Sequence, residues 1–348
     1  MSNLKKVLWA TALLGLALCG IITYRIYKAV FVANTAFEQP EVVIFVSSGT
    51  SFKELKVLMT PYVKDLQTFE AVAIRKGYFA NVKGGKYLLK KGMNNNSLIN
   101  TLRSGNTAVR VSFNNQETLE ALAGRIAAQL EPDSLALLQA FNDHALLADN
   151  GFDVHNTLTP YLPNTYEFFW NTSPEGFTKR MLEEYRRFWN EERVQKAKKL
   201  GLSPAEVSSL AAIVQKETVK IDERPRVAGV YLNRLSRGIH LQADPTVIYA
   251  LKKAYGKNDT IIKRVLYRDL EIDSPYNTYK YEGLPPGPIA MPDLSAIKAV
   301  LNPESHEYLF FVADVSRPGY HLFAKTLAQH NENKSQYIRW LDRQSIKR

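Results

Sequence analysis

At 348 residues, 45% of them apolar and 23% charged, the chain exceeds one ordinary domain of about 100 to 200 residues and is not a disordered polymer. Its 45 Lys and Arg against 34 Asp and Glu give a formal +11, which suits an anionic membrane or a carboxylate-rich polymer; the basic residues are scattered, without a zinc or RNP-type motif, which argues against nucleic acid. One cysteine, Cys19, excludes an intramolecular disulfide and cysteine metal sites, and the six histidines lack ligand spacing, so no metal and no organic cofactor is expected.

Val7 to Tyr24 runs 18 residues without a charge, between Lys5 and Lys6 on one side and Arg25 and Lys28 on the other. That is long enough to cross a bilayer. A cleaved signal has a shorter apolar region of about 7 to 15 residues and a small-x-small site, poorly matched after Tyr24, so a retained anchor is expected. Leu18 stands where a lipoprotein box has a small residue before its cysteine, and Cys19 therefore reads as a residue of the span. Two positive charges on each side leave the orientation open.

Beyond Pro40, three segments share one outline: an extended strand, a polar turn and a helix. The first has strand Val42–Val46, turn Ser47–Ser51, and a helix carrying Phe52, Leu55, Leu58 and Met59. The second has strand Gly85–Leu89, a Gly92 turn with a cap region from Asn94, and Leu98, Ile99 and Leu102 before Gly105. In the third, strand Val109–Phe113 precedes an amphipathic helix through Leu119, Leu122, Ile126 and Leu130. The fold class is α+β. A strand, a Gly-Thr-Ser turn and a short helix are ingredients of LysM-type glycan-binding modules, so the first two units read as a small LysM-like subdomain or as a packing domain without a ligand.

From Gly201 the signals sharpen. Ser203-Pro204-Ala205-Glu206 is a capping box with proline at the first helical position. Val207, Leu210, Ala211 and Val214 line one face of the helix that follows, and three more residues along that stripe stands Glu217. Burial and the nearby helix C-terminus both disfavour a negative charge there, which makes Glu217 a candidate general acid held protonated near neutral pH. Pairing with a buried arginine, Arg226 or Arg234, is the alternative. A second helix carries Val227, Val230, Tyr231 and Leu235 on one face, has Asn233 and Arg234 late in its course, and stops by Gly238. Asp244 then caps a third helix begun by Pro245, or binds substrate. Ser274–Tyr279 and Gly283–Ala290 are stiff, turn-rich segments whose aromatic faces and amides suit sugar rings or a packed loop.

Ile213-Val214-Gln215-Lys216-Glu217-Thr218, the Val230–Leu235 helix, Leu241-Gln242-Ala243-Asp244-Pro245-Thr246, Tyr276–Tyr279, Gly283–Ile289, Phe311–Asp314 and His330-Asn331 follow one another in this order. Together they resemble the endolytic murein transglycosylases, the MltG or YceG-like family, over nearly the whole chain. The resemblance implies a single-pass inner-membrane protein with its bulk in the periplasm: anchor and linker 1–36, LysM-like subdomain 37–108, and a larger mixed α+β catalytic domain 109–348. It implies cleavage of MurNAc–GlcNAc bonds in glycan strands to 1,6-anhydroMurNAc ends, with nascent strands as the expected substrate, strand elongation as the process limited, and peptidoglycan synthases as candidate partners. In the family's Glu-Lys-Glu-Thr motif the second glutamate is catalytic and maps onto Glu217; the first position is Gln215 here. Asn233, Gln242, Asp244, Thr246, Tyr276 and Asn277 are candidates for holding the glycan. The rivals are a muramidase-like hydrolase with Asp222, Glu223 or Asp244 as second carboxylate, and a non-catalytic glycan-binding scaffold.

Overall fold

The apolar N-terminal stretch forms one continuous helix, α1 (Asn3–Phe31), in a computed structural model that describes residues 3–256, 262 and 264–343. Its segment Val7–Phe31 is long and apolar enough to cross a membrane, and residues 7–28 are exposed. The helix runs past Tyr24 because no proline or glycine interrupts Arg25–Phe31. Its last turn changes role. Ala29 and Val30 pack on a hydrophobic core, the Ala29 carbonyl accepts a hydrogen bond from Asn95 Nδ2 (2.8 Å), and the Phe31 carbonyl accepts one from Asn94 Nδ2 (3.2 Å).

The residues divide into two units. The first takes the chain up to Val111 with Gln129–Pro132 and Tyr166–Ser173; the second takes Ser112–Ala128, Asp133–Thr165 and the chain from Pro174 onward. In the first unit, β1 (Glu41–Val46) is followed by α2 (Phe52–Met59), where Ser51 and Glu54 form a capping box. Asp65 caps α3 (Leu66–Arg75), and β2 (Gly85–Lys90) pairs antiparallel with β1, Val46 opposite Gly85 and Glu41 opposite Lys90. Asn94 caps α4 (Asn95–Ser104). Leu55, Met59, Phe69, Leu89, Leu98 and Ile99 meet in one core. The helix α3 is additional to the strand–turn–helix outline.

The next strands, β3 (Ala108–Phe113) and β4 (Asn164–Phe169), form a second two-stranded sheet. Between them lie α5 (Leu119–Ala127), capped by Thr118, then α6 (Ser134–Phe141) and α7 (His144–Ala148). Leu130 is buried but lies beyond the end of α5, where Ala127 hands over to a turn. After α8 (Pro174–Phe188) and α9 (Glu191–Lys199) comes α10 (Pro204–Glu217), opened by the Ser203/Glu206 capping box. It is the centre of the second unit, packed by α9, α11 (Arg224–Leu235), α12 (Asp244–Tyr255) and α13 (Leu294–Leu301). Every residue from Val207 to Gln215 is buried, not one stripe alone. Small Ala211 and Ala212 let neighbours approach from several sides, while Ser208 and Ser209 return their hydroxyls to the carbonyls of Pro204 (3.0 Å) and Ala205 (3.2 Å). Val207, Leu210, Ile213 and Val214 each stabilise this packing by roughly 1.5–3 kcal/mol. The antiparallel hairpin β5 (Phe310–Ala313) and β6 (His321–Ala324) leads into α14 (Leu327–Arg343). The fold is mixed α+β, with the long central helix delivering its last residue to a cavity.

Candidate active site

α10 ends at Glu217 because Thr218 turns to an extended conformation (φ −138°, ψ 132°). The terminal carboxyl opens into a cavity of about 370 Å³ lined by Glu217, Tyr231, Arg234, Gln242, Asp244 and Tyr279, with Leu241, Phe310, Phe311, His330 and Lys334 completing its wall. The Tyr231 hydroxyl, one α11 face away, donates to Glu217 Oε1 (2.8 Å). Oε2 accepts no hydrogen bond among the described residues, so it is the oxygen able to carry a proton into the cavity.

Burial raises the Glu217 pKa to about 7; the Tyr231 hydrogen bond opposes that rise, and the negative charge of Asp244 adds to it. Among the described residues no cation pairs with Glu217 to cancel the effect. Lys216, the sequence neighbour, is bonded to Glu117, which also accepts from Lys252 (2.9 Å). Arg226 pairs with Glu304 (2.9 Å), and Arg234 donates to Gln242 Oε1 (2.7 Å). Neither of the arginines considered from the sequence is ion-paired with Glu217.

The second wall begins with a strained residue. Gln242 has φ +52°, a left-handed conformation that non-glycine residues adopt rarely. Its N–H donates to the Thr278 carbonyl (3.0 Å), and the N–H of Ala243 donates to Thr278 Oγ1 (3.0 Å). Thr278 Oγ1 in turn shares a hydrogen bond with Thr246 Oγ1 (2.9 Å). These clamps hold Gln242 against Arg234. Asp244 begins α12 but does not cap it: Ala243 holds the cap position, and the Asp244 carboxylate accepts the Tyr279 hydroxyl instead (2.6 Å).

Of the residues proposed from sequence, Glu217, Gln242 and Asp244 meet in this cavity. The others do not line it. Asn233 donates to the carbonyls of His306 (2.8 Å) and Tyr308 (3.1 Å), Thr246 is buried against Ala243 and Thr278, and Asn277 staples the carbonyls of Leu270 (2.7 Å) and Ile272 (2.9 Å). Tyr276 is buried beside Tyr249, its hydroxyl donating to the His155 carbonyl (3.4 Å). Gln215 accepts from the Asp293 N–H (2.6 Å) and donates to the Met291 carbonyl (3.3 Å), a pair of duties that suits an amide better than a carboxylate. Asp222 accepts from Tyr320, and Glu223 from Thr218 and His321, so Asp244 alone of the three proposed second carboxylates lines the cavity. Sequence reasoning assigned no site role to Tyr231, Phe310 or Lys334, and took in Tyr279 only as part of the Ser274–Tyr279 segment. For Tyr231 the available signal was a hydroxyl set among the aliphatic residues of one α11 face.

The sequence model of the YceG-like family matches residues 44–336. An endolytic murein transglycosylase of Bacillus subtilis (strain 168) is 32% identical over 314 residues, which span 85% of this chain and 84% of that protein. One of Streptococcus pneumoniae serotype 2 (strain D39 / NCTC 7466) is 28% identical over 327 residues, 85% of this chain and 58% of that protein. The crystal structure of a yceG-like protein from Listeria monocytogenes superimposes with a TM-score of 0.56 at 27% identity, covering 85% of this chain and 99% of that one.

Proposed function

The chain belongs to the YceG-like family, and we propose that it is an endolytic lytic transglycosylase, a lyase that cuts peptidoglycan glycan strands between MurNAc and GlcNAc. The observation that carries this reading is a carboxyl with a pKa near 7 at the end of a buried helix, unpaired with any cation among the described residues and open to a cavity. Such a group is half protonated at neutral pH and able to give and retake a proton in one turnover.

Glu217 Oε2 donates its proton to the bridging oxygen while Tyr231 holds Oε1 in place. The C1–O bond breaks, the GlcNAc side leaves as an alcohol, and positive charge gathers on the muramyl C1 and ring oxygen. The Asp244 carboxylate in the same cavity favours that charge. The Glu217 carboxylate then accepts the proton of the muramyl 6-hydroxyl as O6 bonds to C1, giving the 1,6-anhydro end and restoring the acid. No second protein carboxyl has to act, because the substrate supplies the nucleophile; ordinary glycosidases use two. Gln242 and Asp244 touch the glycan, while Asn233, Thr246, Tyr276 and Asn277 hold the walls that present them.

Asp244 also supports a second reading, in which it activates water and the enzyme is a muramidase-like hydrolase. Digestion of purified glycan strands separates the two by product mass, since the anhydro product is lighter by one water. Glu217→Gln is expected to lower the rate at least about 10³-fold in a folded protein. Unchanged cleavage by that variant overturns the assignment of Glu217, and hydrated ends alone overturn the lyase reading.

The α1 helix supports a single-pass anchor in the cytoplasmic membrane, with the catalytic part on the periplasmic side, where the wall polymer lies. Nascent strands leaving the membrane are within reach of such an enzyme, which fits a role in limiting their length beside peptidoglycan synthases. The β1–turn–α2 outline with its Ser51 cap supports a LysM-like, glycan-gripping first unit.

A further inference from the structure

The cavity that holds Glu217 is lined by two cations, Arg234 and Lys334, that form no ion pair among the described residues. Arg234 is 7% exposed, and its hydrogen bonds go to neutral oxygens: Nη2 to Gln242 Oε1 (2.7 Å) and Nη1 to the Leu309 carbonyl (3.4 Å). Its Nε is buried without a partner. Lys334 lines the same cavity from α14, and neither cation has an ion pair among the described residues. His330, one helical turn before Lys334, stacks on Phe310 (5.3 Å between centroids), and the Arg234 guanidinium stands over the same ring (5.6 Å). The His330 Nδ1 is likewise buried without a partner. The ring reports the local field: burial first, then the charges of Lys334 and Arg234, push its pKa below the ordinary value. The carboxylates elsewhere in the cavity do not pair with these cations: Glu217 accepts from the Tyr231 hydroxyl and Asp244 from the Tyr279 hydroxyl.

A buried, uncompensated guanidinium is costly unless function uses it. Sugar hydroxyls do not answer a charge. In a glycan of alternating GlcNAc and MurNAc, the negative groups are carboxylates carried by the 3-O-lactyl arm of MurNAc, either its own carboxylate on a peptide-free strand or those of the attached stem peptide. We propose that Arg234, Lys334 and His330 form a recess that binds a carboxylate on the lactyl arm of the muramyl residue, making this charge a condition for productive seating. The inference rests on the glycan reading above. Arg234 with Gln242 provides the fixed, pre-organised part and Lys334 the flexible rim.

The test uses full-length protein in detergent and three sets of glycan strands: peptide-free, stem-peptide-bearing, and peptide-free with the lactyl carboxyl converted to its methyl ester. Binding is read by calorimetry on Glu217→Gln, so that it does not depend on turnover. At least tenfold tighter binding of one or both carboxylate strands than of the ester is expected, with the preference shrinking as salt rises. Which carboxylate strand binds better identifies the source of the charge. Lys334→Met in the Glu217→Gln background is expected to lose most of the preference while leaving ester binding unchanged, and Lys334→Arg to keep it. Equal binding of charged and ester strands overturns the recess, as does an equal loss on both in the Lys334→Met protein. If charge-dependent binding holds while the wild type makes no cut, the recess stands and the catalytic reading falls.

Discussion

The titration of Glu217 is set by groups that can be changed one at a time. The Tyr231 hydroxyl stabilises the carboxylate, so Tyr231→Phe moves the pKa above 7; the charge of Asp244 destabilises it, so Asp244→Asn moves the pKa below 7. With Glu217 as the required acid, wild-type kcat/KM is expected to fall about tenfold per pH unit above pH 7. That descending limb should move to higher pH in Tyr231→Phe and to lower pH in Asp244→Asn. A limb that ignores both changes assigns the titration to another group. The same shift affects stability. A carboxyl with its folded pKa raised from 4.5 to about 7 costs nothing below pH 4.5; the cost grows between pH 4.5 and 7, where the unfolded chain ionises and the folded one does not, and is complete above pH 7, where the folded protein must hold the buried charge. Glu217→Gln, which keeps an acceptor for Tyr231, is therefore expected to be about 1–3 kcal/mol more stable than wild type at pH 8 and equal to it at pH 4 by denaturant unfolding, the lower end reflecting the solvent access of the cavity. An acid whose removal stabilises the fold is one retained for chemistry.

At the scale of elements, the site is a junction between the end of α10, a face of α11 and the start of α12, and the loop at Thr278 holds the junction shut. Thr278 Oγ1 takes the Ala243 N–H and meets Thr246, so Thr278→Val leaves a buried donor unpaired at a cost of about 1–3 kcal/mol. Release of the left-handed Gln242 from Arg234 should follow. Thermal unfolding is expected at lower temperature, and kcat/KM should drop with the product still fully anhydro; a mixed or hydrated product would place Thr278 in the chemistry instead. The sequence made α10, α11 and α12 readable because their starts are punctuated by Ser203-Pro204, Pro225 and Pro245, strand β1 because residues 42–46 form an unbroken apolar run, and β3 because Val109, Val111 and Phe113 alternate with Arg110 and Ser112. It did not reveal α3, whose Asp65 cap and Phe69, Val72 and Ala73 stripe are short signals between two louder elements. Nor could it assemble the cavity wall. Glu217, Tyr279, Phe310 and Lys334 are brought together by packing across more than one element, and local periodicity carries no record of that.

Across the whole molecule, α1 serves two environments, and their boundary can be located by where the chain is cut. From Val7 the helix is unburied, whereas Ala29 and Val30 belong to the core of the first unit and the Ala29 carbonyl satisfies the amide of Asn95. Asn95 is almost fully buried, donates also to Thr68 Oγ1 (3.1 Å) and accepts from Asn34 (2.7 Å), so this amide organises the point where α1, α3 and α4 meet. A protein starting at Lys28 keeps every one of these contacts and loses most of the apolar span. It should leave the membrane fraction, remain folded with the thermal midpoint of the detergent-solubilised full chain, and still cut glycan strands in solution. A protein starting at Val32 leaves the Asn95 amide without its Ala29 acceptor and uncovers the core beneath Ala29 and Val30, a loss of roughly 2–4 kcal/mol. Only the second cut should lower the unfolding midpoint. If both truncations unfold together, the last turn of α1 is no part of the first unit's core; if the protein starting at Lys28 still sediments with membranes, anchoring resides in other surfaces as well.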